Sequence, residues 1–95
     1  MIKKFEQYNK ELPEVIIDYK NGQKIYEYWF LNVKLHREDG PAIQGWYKNG
    51  EKIIDSWYLE NNYYSKEEWI EGLKDIGSEH YEEQKMLYNA EKYNL

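Results

Sequence analysis

The chain has 95 residues, 18 acidic against 13 basic side chains, a net charge of −5 and no cysteine. That length fits a single domain over residues 1–95, and the missing thiols exclude disulfides, thiolate metal sites and a cysteine nucleophile. Arg37 is the only arginine, and without clustered Lys and Arg no direct nucleic-acid binding is expected.

A chain this short buries only about two-thirds of its unfolded surface, so its core must be dense. Eleven Tyr, four Trp and two Phe supply much of the apolar area. Tyr and Trp are suited to half-buried positions on a sheet or at a contact surface. The opening residues Met1–Glu6 carry charges with no apolar run behind them, unlike a signal peptide. No stretch approaches the roughly 20 apolar residues that span a bilayer. A cytoplasmic location is therefore expected.

From the N-terminus, Ile2, Phe5, Tyr8 and Leu12 fit either a strand or a loose helix over residues 1–12. The next segment repeats. Residues 13–31 and 41–59 align at a constant offset of 28, with Pro, Tyr-Lys-Asn-Gly, Lys-Ile, Trp and Leu recurring identically. Asn-Gly between alternating β-formers signals a hairpin, because a type I′ turn needs positive φ at both central residues. Strands are predicted over 14–20, 23–31, 42–48 and 51–59, with hairpin repeats at 13–40 and 41–64. Alternation places Ile25, Glu27, Trp29 and Leu31 on one face with Ile53, Asp55, Trp57 and Leu59. Tyr26, Tyr28 and Phe30 fall on the other with Ile54, Ser56 and Tyr58.

Such a sheet needs a cover, and residues 65–95 are expected to provide it. Ser65-Lys66-Glu67-Glu68 reads as a capping box, followed by Trp69, Ile70, Leu73 and Ile76 on one helical face and Gly77 as the stop. Ser78 is placed to cap a second helix over 79–93, with Met86, Leu87, Ala90 and Tyr93 as its apolar stripe. The fold class is thus α+β, an antiparallel sheet of two tandem hairpins followed by one or two helices.

His36-Arg37-Glu38-Asp39 combines a histidine with two carboxylates, the ingredients of acid–base or metal chemistry. Adjacent side chains on a short loop diverge, so a turn bent at Asp39-Gly40, with Arg37 paired to a nearby acid, is the favoured reading. His80 among Glu79, Glu82 and Glu83 reads as a solvated helix face. No catalytic, cofactor-binding or metal-binding residue is assigned. The chain is not expected to be an enzyme.

Trp29-Phe30-Leu31-Asn32-Val33-Lys34-Leu35-His36-Arg37-Glu38-Asp39-Gly40-Pro41-Ala42-Ile43 resembles the Leu-His-Arg-Glu-Asp-Gly-Pro-Ala repeat of phage and giant-virus proteins, a MORN-like β-hairpin repeat. Tyr58–Trp69 looks like the terminal unit of such an array, where the last hairpin runs into a helix. The likeness covers roughly residues 13–70. Val33 stands where that repeat usually has Gly. The second unit departs by losing the His-Arg-Glu-Asp-Gly segment and turning helical. The resemblance implies binding or scaffolding rather than catalysis.

Residues 1–64 hold ten acidic and nine basic side chains, whereas 65–95 hold eight and four, so the C-terminal part is the acidic one. An acidic helical end suits a protein partner with a basic nucleic-acid-binding surface, because complementary charge speeds and orients docking. An anionic membrane repels it. The expected role is inhibition of a bacterial defence effector of CRISPR or nuclease type by a phage or mobile-element protein in the host cytoplasm. The alternative is a scaffold or antitoxin-type module. Candidate contact residues are Tyr63, Tyr64, Tyr81, Tyr88, Glu79, Glu82 and Glu83, since Tyr outside the strand pattern is enriched in recognition surfaces.

Overall fold

A computed structural model describes residues 12–93. The reading of the N-terminal segment therefore lies outside the described residues, apart from Leu12. Among the described residues, six strands and two helices follow in order: β1 (Pro13–Lys20), β2 (Gln23–Leu31), β3 (Lys34–Leu35), β4 (Ile43–Trp46), β5 (Lys52–Leu59), β6 (Asn62–Tyr64), α1 (Lys66–Asp75) and α2 (Tyr81–Tyr93). All strand pairings are antiparallel, in the order β1-β2-β4-β5-β6, with β3 also paired to β2. The architecture is the expected α+β sheet followed by two helices.

The first Asn-Gly pair forms the predicted turn. Asn21 and Gly22 have φ of 53° and 79°, the two left-handed residues of a type I′ hairpin. The second copy of the same four residues folds differently. Tyr47 pairs with Glu51 around Lys48-Asn49-Gly50, and only Gly50 is left-handed, at φ 91°. This is a three-residue loop ending in a glycine bulge, with the Asn49 Oδ1 accepting from the Glu51 N–H at 3.0 Å. The extra loop residue shortens β4 to Ile43–Trp46 and shifts pairing by one. Val15 faces Trp29, but Ile43 faces Ser56 rather than Trp57. Both hairpins nevertheless place a bulge at the same point, leaving Ile25 and Ile53 unpaired. Beyond the bulges the predicted faces hold, with Glu27, Gln44 and Asp55 in one cross-strand row and Tyr26, Gly45 and Ile54 in the next.

Two short hairpins were not legible in the pattern. Asn32-Val33 and Glu60-Asn61 are all left-handed, with φ of 53°, 59°, 52° and 69°, and turn β2 into β3 and β5 into β6. Val33 is strained there, because a β-branched residue resists positive φ. It is 86% exposed and loses little packing when removed. Val33→Gly should therefore raise stability by about 1 kcal/mol, the relief of local strain exceeding the extra entropy glycine brings to the unfolded chain. Urea denaturation checks this, and an unchanged or lower midpoint refutes the assigned strain.

The core sits at one end of the sheet. Leu59, Trp69, Ile70 and Leu73 are buried together, with Trp57, Tyr64, Tyr81 and Tyr88 packed around them. Helix α1 begins at the expected capping box, in which Ser65 Oγ accepts from the Glu68 N–H and the Glu68 carboxylate accepts from the Ser65 N–H. It ends in a Schellman motif, with Gly77 at φ 71° and the Ser78 N–H bonded to the Leu73 carbonyl. The cover is narrower than the sequence suggested, since the main strand contacts of the helices are those of α1 with β5 and β6. The predicted stripe on α2 is also corrected. Met86, Leu87 and Tyr93 are 68%, 51% and 62% exposed, and the side chains that reach the core are Tyr81 and Tyr88. The period was ambiguous because tyrosines, not aliphatic residues, form the packed face.

Candidate functional site

The His36–Asp39 segment leaves β3 and crosses to the second hairpin and α1. Its first two residues are tied to both hairpins: the His36 N–H bonds to the Trp29 carbonyl at 3.1 Å and the Arg37 N–H to the Tyr58 carbonyl at 3.2 Å. The indole N–H of buried Trp69 donates to the Arg37 carbonyl at 3.0 Å. His36 is only 6% exposed. Its Nδ1 accepts from the Glu60 N–H at 3.0 Å, which puts the proton of the neutral ring on Nε2, 2.7 Å from the Glu38 carboxylate. Both ring nitrogens are engaged within the protein.

Arg37 closes the cluster. Its Nε donates to Asp39 at 2.8 Å, as the pairing with a nearby acid predicted, and its guanidinium lies 3.8 Å from the Trp29 ring centroid. Gly40 leaves room for this arrangement, since a Cβ there would stand 2.9 Å from the Arg37 Cζ and push the guanidinium aside. Gly40, Pro41 and Ala42 are buried. The segment is therefore a tertiary clamp rather than an exposed turn. Its partners lie as far as 45 residues away, so local spacing carried no sign of this.

Burial pushes the Glu38 carboxyl upward, but hydrogen bonds from His36 and Ser78 and the charges of His36 and His80 outweigh it and leave it below the usual value. A depressed carboxyl contributes stability that is present above its unfolded pKa of about 4.3 and is lost as pH falls through the folded value. Glu38→Gln should therefore be less stable at neutral pH and lose less on acidification below pH ~4.3 than the parent. Melting curves across that window check this, and parallel pH profiles contradict it.

The clamp forms one wall of a cleft of about 390 Å³, lined among others by Trp29, Leu31, Arg37, Asp39, Glu79 and His80. The Trp29 indole N–H is buried without a partner among the described residues. His80 lies 3.7 Å from Glu79 and 4.0 Å from Glu83, both of which are mostly exposed. Among the described residues no group of three His, Asp or Glu side chains is arranged to hold a metal ion.

The candidate contact residues fall into three places. Glu79, Glu82 and Glu83 stand exposed at the start of α2. Tyr64, Tyr81 and Tyr88 lie half-buried against the core between the sheet and the helices. Tyr63 is 67% exposed and meets Tyr58 edge-to-face at 5.5 Å, on the sheet face opposite Trp57 and Tyr64. No single surface contains all seven.

A second hollow lies at the hairpin tips, where Lys20 and Lys48 flank Tyr26 and Trp46. The Lys24 and Lys52 ammonium groups lie 4.8 and 5.6 Å from the Trp46 ring centroid. Lys24 is partnered by Glu27 and Lys52 by Asp55. This gathering of lysines opposite the acidic helices escaped the sequence reading, although the repeat contained the signal. Lys20 and Lys48, like Lys24 and Lys52, occupy equivalent repeat positions.

No family model, curated protein or solved structure matches this chain. Among the described residues, no helix is long and apolar enough to cross a membrane.

Proposed function

We propose that this chain is a non-catalytic protein-binding protein, encoded by a phage or mobile element, that occludes a basic nucleic-acid-binding surface on a partner such as a bacterial defence effector. The observation carrying this reading is the outer surface of α2. Met86, Leu87 and Tyr93 are exposed there, on the same helix as exposed Glu82, Glu83, Lys85, Glu91 and Lys92; Glu91 is paired with Lys66, so the unpaired acidic charge gathers at the N-terminal end with Glu79. An apolar centre with a charged rim is the anatomy of a protein interface, and acidic charge there favours a basic partner. The engagement of both His36 ring nitrogens supports a non-catalytic role. The likeness of residues 29–43 to a repeat of viral proteins supports the proposed origin and, with it, a place in the host cytoplasm.

Reversing Glu79, Glu82 and Glu83 to Lys should leave stability within about 1 kcal/mol, because all three side chains are exposed. The same variant should lose capture of a basic protein from bacterial lysate. Retention of an effector by the parent and not by the variant supports the reading. Equal retention by both refutes α2 as the contact.

A scaffold or antitoxin-type role draws on a different surface. Tyr26 and Tyr28 stack at 5.9 Å on the sheet face that also carries Tyr58 and Tyr63. Recovery of a virion protein or a cognate toxin by the charge-reversed chain would favour that role.

A further inference from the structure

We infer that the outer edge of β1 is a self-complementary docking edge for a second copy of this chain, joined across a two-fold axis at Ile17. Among the described residues only β2 pairs with β1. The amides on the outer edge are identified by Trp29, whose N–H and C=O are bonded to Ala42 and His36, away from β1. Val15 faces Trp29 across the ladder, so this is a non-hydrogen-bonded pair and the Val15 amide groups point outward. Alternation then turns the amides of Ile17 and Tyr19 outward and those of Glu14, Ile16, Asp18 and Lys20 toward β2. The bulge in this hairpin lies in β2, so the alternation of β1 is unbroken.

The strand exposes apolar side chains on both faces, between charged Glu14, Asp18 and Lys20. Val15, Ile16 and Tyr19 are 38%, 47% and 62% exposed, an edge of the kind that other strands pair with. Residues facing one another in an antiparallel ladder either both present their amides to the shared edge or both turn them away, so two copies can meet only in registers centred on a residue. Centring on Ile16 sets Glu14 against Asp18, and centring on Asp18 sets two aspartates together. Centring on Ile17 sets Glu14 against Lys20 at both ends, Val15 against Tyr19 and Ile16 against Asp18, with no like charges opposed. Opposite charges and aromatic–β-branched pairs are favourable cross-strand neighbours, whereas like charges directly opposite are destabilising. The pairing is isologous and closes as a dimer. It is independent of the α2 surface.

The experiment is sedimentation equilibrium of the full chain from micromolar to millimolar concentration. The parent should pass from monomer to dimer mass. Ile17→Pro removes an N–H that points away from β2, which an edge strand tolerates, and should remain monomeric with unchanged circular dichroism. Glu14→Lys should weaken dimerisation at least tenfold, and Glu14→Lys with Lys20→Glu should restore it. A parent that stays monomeric throughout overturns the inference. So does a dimer that survives Ile17→Pro, which would place the contact on the tyrosine face or on α2. The charge-swap rescue keeps the test decisive if the proline variant fails to fold.

Discussion

Trp69→Ala should cost about 3–5 kcal/mol, the range for truncating a large aromatic side chain in a core. Trp69 is fully buried, lies 4.6 Å centroid-to-centroid from Trp57, and holds the Arg37 carbonyl through its indole N–H. The substitution therefore opens a cavity between α1 and β5 and also detaches the clamp from the helix. Native domains have only about 5–15 kcal/mol of stability, so much of the variant should be unfolded at 37 °C. Urea unfolding followed by tryptophan fluorescence measures the loss. A change below about 1 kcal/mol, typical of surface positions, contradicts the core assignment.

His36→Leu should be the second largest effect. Leucine keeps the bulk but removes the acceptor for the Glu60 N–H and the donor for Glu38. Glu60 itself is exposed, so the freed amide is only partly shielded from water and the cost should fall at the lower end of the roughly 1–3 kcal/mol of an unpaired buried donor. The Glu60 amide lies in the left-handed turn between β5 and β6, so the loss should appear there first, as faster hydrogen exchange at Glu60 and Asn61. Exchange that is unchanged at both amides contradicts a structural role for the ring.

The local signals were those with local causes. The Asn21-Gly22 turn, the capping box at Ser65 and the stop at Gly77 each depend on a few adjacent residues, and each was readable. The alternation that sorted Trp29 from Tyr28 also survived, because both bulges fall at equivalent positions. The second turn was not readable, since identical residues at 47–50 close a longer loop once Glu51 and Asn49 bond to each other. Asn32-Val33 lacks the glycine that marks a left-handed turn, so β3 was invisible.

The clamp was the larger omission. His36, Arg37 and Gly40 were read as a turn because their neighbours in sequence explain a turn, whereas Glu60, Tyr58 and Trp69 explain their burial. On α2 the tyrosines and the aliphatic residues exchanged roles. Tyr81 and Tyr88 pack inward, while Met86 and Leu87 face outward. That exchange is what makes α2 a candidate contact surface and not merely a cover.

The most direct test of this account is displacement. A labelled oligonucleotide bound to the effector recovered from lysate would be followed by fluorescence anisotropy while this chain is added. Occlusion predicts that the oligonucleotide is released in proportion to added protein and that the Glu79, Glu82 and Glu83 reversal releases none. A ternary complex, with anisotropy rising and the oligonucleotide still bound, would contradict it.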